Sequence, residues 1–167
     1  MSRVAIFIGS DSDSDVIQEA CRILEDFGVP FSLDVTSAHR SPDRTLRLVR
    51  RAEKEGAAVF IAAAGKAAHL AGVVAAHTLK PVIGVPVESA GLGGLDALLS
   101  TVQMPKGVPV STMALGKTGA ANAAYLAVQI LGLSDPALRD KLSRHREDMA
   151  AAVEDSSRAL REKRRRA

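Results

Sequence analysis

Apolar positions along this chain alternate between continuous strand-like runs and helix-like stripes, and each switch marks an element. The apolar run VAIFIG (4–9) has the length and β-branched content of a strand buried on both faces. Beyond a polar stretch, Val16, Ile17, Ala20, Cys21, Leu24 and Phe27 fall on one helical stripe, closed by Gly28 and Pro30. The alternation then recurs. FSLDVT (31–36) reads as a second strand, and a helix with Ser41 as N-cap and Pro42 at its first position ends before Gly56. AVFIAAAG (58–65) is a third strand, followed by an Ala-rich helix to about Leu79. PVIGVPV (81–87) is a fourth, followed by the Gly-rich loop ESAGLGGLD. VPVSTMAL (108–115) is a fifth, leading to an Ala-rich helix from about Thr118 to Leu131. Strands alternating with helices predict an α/β fold, a parallel sheet of about five strands with helices on both faces.

The last segment, about 135–163, has a different character. Leu138, Leu142, Met149, Val153 and Leu160 form one stripe among charges, which predicts a long C-terminal helix. At ~1.5 Å per residue it would reach about 40 Å and overhang a small domain. An overhanging apolar stripe calls for a neighbouring subunit, so a homo-oligomer is expected.

The length of 167 residues fits a single domain over 1–167. The net charge of +3 belongs to the end of the chain. Residues 158–167 carry six basic side chains and one acidic, which leaves the other 157 residues at about −2. That tail is expected to be a frayed, solvated end. With aromatics at 3% and no basic face on the domain, no nucleic-acid role is expected. No apolar run reaches 18 residues, so no membrane span is expected. The N-terminal MSRVAIFIG reads as a strand and not as a leader, and Cys21 is alone, so a cytoplasmic setting is expected.

In an open parallel sheet, ligands bind beyond the carboxyl ends of the strands. The stretches there are GSDSDSD, SAHRSP, GKAAHL and VESAGLGG. In SAHRSP, Ser37 and Arg40 beside a helix start suit a phosphate, and His39 suits proton transfer near neutral pH. In GKAAHL, Gly65 ends a strand, the small Ala67 and Ala68 let a planar ligand approach the backbone, and His69 falls near the next helix's first turn. Histidines 39, 69, 77 and 145 show no metal spacing, so no metal is expected. ALGKTG resembles the end of a P-loop, but Ser111 stands where the pattern needs glycine. A receiver domain needs an aspartate at the end of the third strand, where this chain has AAAG. A flavin module normally stacks its ring on aromatics, and this chain has no Trp and one Tyr.

Taken together, GSDSD, SAHRSP, GKAAHLAG, IGVPVES, LDALLSTVQMPKGVPVST and GAANAAYLAVQIL closely resemble, in order, the 5-(carboxyamino)imidazole ribonucleotide mutases of de novo purine synthesis. The resemblance covers about residues 3–150. It implies a three-layer flavodoxin-like fold, a homo-octamer whose C-terminal helix packs on neighbouring subunits, and no metal or organic cofactor. It also implies a ribonucleotide substrate. Ser10 and Ser12, with Ser37 and Arg40, would serve the phosphate, and Asp13 the ribose hydroxyls. Asp11 and Asp15 would turn outward or support the helix start. His39 matches the general acid/base, while Gly65, Ala67, Ala68, His69 and Leu70 match the carboxylate-proximal loop. Glycines 91, 93 and 94 are candidates for closing the site.

The implied reaction moves a carboxylate from the exocyclic nitrogen to carbon 4 of the imidazole. In the commoner mutase loop, GGAAHLPG, glycine stands where this chain has Lys66 and proline where it has Ala71. A second class on the same fold carboxylates aminoimidazole ribonucleotide directly with carbon dioxide, and its loop contains a basic residue. Direct carboxylation is therefore the alternative within the family, and a non-catalytic nucleotide-binding module the alternative outside it.

Overall fold

β1 (Val4–Ile8) is buried along its whole length in the computed structural model, which describes residues 3–89 and 91–165. A strand with no polar position needs cover on both faces. β2 (Phe31–Val35) pairs with one side of it and β3 (Val59–Gly65) with the other, both parallel. β4 (Val82–Val87) adds to β3, and β5 (Ser111–Thr112) to β4. The order β2-β1-β3-β4-β5 is the flavodoxin-like one.

Alternation along the strands divides the core in two. Val4, Ile6 and Ile8, with Ile61 and Ala63, face α1 (Ser14–Phe27) and α5 (Gly116–Gly132). Ala5 and Phe7, with Phe60 and Ala62, face α2 (Pro42–Lys54) and α3 (Leu70–Ala75). Buried Ala120, Ala123, Ala124 and Ala127 let α5 lie close to the sheet and α1. Gly28 closes α1 at φ 69°, a left-handed cap that glycine adopts without steric cost.

Three elements differ from the sequence expectation. β5 is only two residues long, not 108–115, because Pro109 has no amide to donate to a ladder. α3 stops at Ala75 instead of about Leu79; Leu79 is fully exposed, and Lys80 precedes Pro81, which disfavours helical backbone before it. An unanticipated helix, α4 (Leu95–Val102), follows the Gly-rich loop. Its signal was present as Leu95, Leu98, Leu99 and Val102, spaced three and four apart. α4 buries Ala97 and Thr101 instead, and leaves Leu95, Leu99 and Val102 exposed.

α6 (Pro136–Arg165) spans 30 residues, about 45 Å. Its first turns are anchored by buried Leu138, by Lys141 donating to the Phe27 carbonyl at 2.8 Å, and by an Arg3–Asp135 ion pair at 2.7 Å just before it. Farther on, Met149, Val153 and Leu160 are exposed, so the predicted stripe does not fold back on its own domain. The helix extends to Arg165, and of the tail expected to fray residues 166–167 lie outside the described residues. Among the described residues no helix is long and apolar enough to cross a membrane.

The entry to α5 is the tightest point of this packing. A Cβ added at Gly119 would collide with the Ala114 carbonyl, a backbone group that cannot rotate away. Gly119→Ala is expected to cost about 3 kcal/mol. That corresponds to a fall in Tm of roughly 6–12 °C for a chain of this size. Thermal unfolding checks this, and an unchanged Tm contradicts the collision.

Candidate active site

At the carboxyl end of β1 the chain makes a 3-10 turn, Asp11–Asp13, before α1. Ser10 is its N-cap, with Oγ accepting from the Ser12 amide at 3.4 Å, and Asp11 Oδ1 accepts from the same amide at 3.0 Å. Asp11 thus serves the turn, and Asp15 sits exposed in the first turn of α1. Asp13 is different, only 8% exposed, with Oδ1 accepting from the Ser12 hydroxyl at 3.4 Å. Burial pushes its carboxyl above the ordinary value for aspartate, the neighbouring Asp11 adds to the rise, and hydrogen bonds from Ser12 and the Ser10 backbone oppose it.

The turn after β2 is tied to this one. Ser37 Oγ accepts from the Arg40 amide at 3.1 Å, and the Arg40 guanidinium donates to the Gly9 carbonyl at 3.3 Å. Ser41 occupies the N-cap of α2, but its hydroxyl turns back to the Ser37 backbone and caps no amide of that helix. A buried hydroxyl pair, Thr36 and Thr45 at 2.8 Å, fixes the turn against α2.

The third loop brings a contact that spacing alone does not reveal. His39 Nε2 and His69 Nδ1 lie 2.7 Å apart, with the rings edge to face. One nitrogen donates and the other accepts, so this hydrogen bond requires that at least one of the two lack a proton. The tautomer of each ring therefore depends on the other.

The three turns and the end of β4 surround one cavity of about 770 Å³, within the usual range for small-molecule sites. Ser10, Ser12, Asp13, Ser37, His39 and Arg40 all line it. Gly65, Ala67 and Leu70 do so from the β3 side. Two expected residues stand outside the wall: Ala68 is buried behind it, and His69 reaches the site through His39. Glycines 91, 93 and 94 are not part of the wall, which meets the β4 end through Val87, Glu88 and Ser89. The last three were missed as site residues, although the strand-end rule marks their loop. Lys66 also lines the cavity, at φ 56°. Among the described residues no group of three or more His, Cys, Asp and Glu side chains could hold a metal ion.

This geometry can hold an anion near Arg40, accept hydrogen bonds at Asp13 and move a proton at His39. A family model described as AIR carboxylase matches residues 3–152. The chain belongs to the AIR carboxylase family. An N5-carboxyaminoimidazole ribonucleotide mutase of Pyrococcus horikoshii is 51% identical, over 95% of this chain and 89% of that relative. One of Escherichia coli K12 is 54% identical, over 85% of this chain and 84% of that relative. Among solved structures, Treponema denticola PurE superposes with a TM-score of 0.84 at 25% identity, covering 91% of this chain and 94% of that one. The resemblance stated from the motifs and the matched family agree.

In this member of the AIR carboxylase family, the buried Asp13 has a consequence for stability. Ionised Asp13 is disfavoured by the fold, so the native state holds its proton to higher pH than the unfolded chain does. Wild-type stability therefore falls as pH rises from about 3.8 through the raised native value. Asp13→Asn escapes that loss. It is expected to melt above wild type at pH 7, with the advantage vanishing below about pH 3.8. Equal melting at pH 7 contradicts a burial cost at Asp13.

Proposed function

We propose that this chain is an N5-carboxyaminoimidazole ribonucleotide mutase, an isomerase of purine biosynthesis. It moves the carboxylate of 5-carboxyamino-1-(5-phospho-D-ribosyl)imidazole from the exocyclic nitrogen to carbon 4 of the ring. Relatives of that name at about 50% identity over most of the chain support the activity. The observation that carries the mechanism is the His39–His69 bond beside the cavity that Arg40 and the serine–aspartate turn share.

Arg40, with the hydroxyls of Ser10, Ser12 and Ser37, takes the phosphate, and Asp13 accepts from the ribose hydroxyls. These anchors place the imidazole ring toward Gly65, Ala67, Ala68 and Leu70, where small side chains admit a flat ring. His39, protonated, gives its proton to the exocyclic nitrogen as the nitrogen–carboxylate bond breaks. The bond pair stays on nitrogen, leaving aminoimidazole ribonucleotide and carbon dioxide. Carbon 4 of the ring attacks the carbon dioxide, and neutral His39 then removes the proton from that carbon and restores aromaticity. Atoms and charge return to the start, so one imidazole serves as acid and then as base. Keeping carbon dioxide beside the ring replaces a bimolecular encounter with an intramolecular one. His69 holds the His39 ring in place and sets its tautomer.

Direct carboxylation of aminoimidazole ribonucleotide is the second reading, favoured only by Lys66 in the loop. Supplying each ribonucleotide, with and without bicarbonate, separates the two. Mutase chemistry consumes the carboxyamino substrate without bicarbonate. Consumption of aminoimidazole ribonucleotide only when bicarbonate is added reverses the assignment. His39→Asn is expected to keep ribonucleotide binding and to lose turnover by about 100-fold or more. A wild-type rate in that variant refutes the proton shuttle.

The same reading makes the protein a cytoplasmic homo-octamer of single-domain subunits. The exposed faces of α4 and α6 support assembly, since Leu95, Leu99, Val102, Met149 and Val153 would otherwise stay in water. Light scattering is expected to give eight copies of the 17.5 kDa chain, and a monomer contradicts it.

A further inference from the structure

We infer that Lys66 is a specificity-determining residue, one that makes this site prefer a carboxylated ribonucleotide to its uncarboxylated counterpart. The inference rests on the substrate reading above. Among the described residues Lys66 is the one non-glycine with positive φ, at 56°. Left-handed backbone costs a residue bearing a Cβ free energy that glycine does not pay. Lys66 is exposed, so core packing does not recover that cost. Among the described residues it forms no ion pair either. Strain retained in a cavity wall points to a use for the side chain within the cavity.

The two permanent cations of the wall, Arg40 and Lys66, are placed differently. The guanidinium of Arg40 is held against the Gly9 carbonyl, beside the serine-rich turn. Lys66 begins the loop that carries His69, one residue after the end of β3. Ser89 adjoins that strand end, since a Cβ built on Gly65 would lie 3.8 Å from the Ser89 Cβ. Among the described residues Ser89 Oγ, itself buried, has no hydrogen-bond partner. An ammonium in the cavity wall that no carboxylate of the described residues pairs offers the donor that a ligand carboxylate accepts. Glu88, in the same wall, would repel a carboxylate, and the ammonium offsets it. Both forms of the ribonucleotide carry the phosphate, but only one carries a carboxylate on the ring. Arg40 therefore cannot distinguish them, and Lys66 can.

The test compares wild type with Lys66→Gly, which removes charge and strain together, and Lys66→Asn, which removes charge in a residue that tolerates positive φ. Each is titrated with 5-aminoimidazole ribonucleotide and with its 4-carboxylate, and melted. The expected result is a Tm near wild type, a roughly tenfold loss of affinity for the carboxylate, and no change for the uncarboxylated ligand. An equal loss on both ligands, or no loss on either, overturns the inference. Failure of wild type to bind either ribonucleotide instead overturns the substrate reading, and this inference with it, before any variant is compared.

Discussion

Because β1 lies between β2 and β3, Ile8 is paired with Val35 on one side and with Ala63 on the other. That single register brings three chain exits to one edge of the sheet within about two strand spacings, ~5 Å each. The serine–aspartate turn, the histidine–arginine turn and the loop bearing His69 are neighbours for this reason alone. A parallel ladder cannot slip by one residue without turning Val4, Ile6 and Ile8 from the α1–α5 core toward the α2–α3 core. The packing of alternate β1 and β3 side chains into two different cores thus holds the alignment of the site.

Within that frame the cavity wall carries local costs to stability. Asp13 is buried where its charge is unwelcome, and Lys66 is held where its backbone is strained. Among the described residues the Ser89 hydroxyl has no partner. Each is a small cost that a chain shaped only by folding would avoid, and all three stand around one cavity. The surrounding core can bear them, since both faces of the central strands are sealed by large, fully buried side chains such as Phe7, Ile17, Phe60 and Ile61. The Arg40–Gly9 and His39–His69 hydrogen bonds link the turns in pairs, so the second turn is tied to both of its neighbours.

The exterior follows a different rule. Among the described residues α6 is joined to the domain by its first turns, and its remaining length carries charge around an open apolar stripe. α4 likewise buries Ala97 and Thr101 and shows Leu95, Leu99 and Val102 to solvent. On both surfaces the chain's own fold leaves apolar side chains uncovered.

Much of this was legible from residue order. Continuous apolar runs and stripes of period 3.6 placed four strands and the main helices, and the strand-end rule picked out the loops that form the cavity. Ser10, Asp13, His39 and Arg40 were readable because each sits in a short motif at a strand exit. Pairing between His39 and His69 was not readable. Thirty residues separate them, and only the adjacency of β1 with both β2 and β3 closes that gap to hydrogen-bond distance. The left-handed backbone of Lys66 and the orphaned hydroxyl of Ser89 were equally hidden, because conformation and burial depend on what the rest of the chain packs around them. Local pattern determines which elements form and which chemistry each loop carries. Tertiary packing decides which of those groups meet, because distances across a sheet are set by strand order and register, and neither is a local property of the chain.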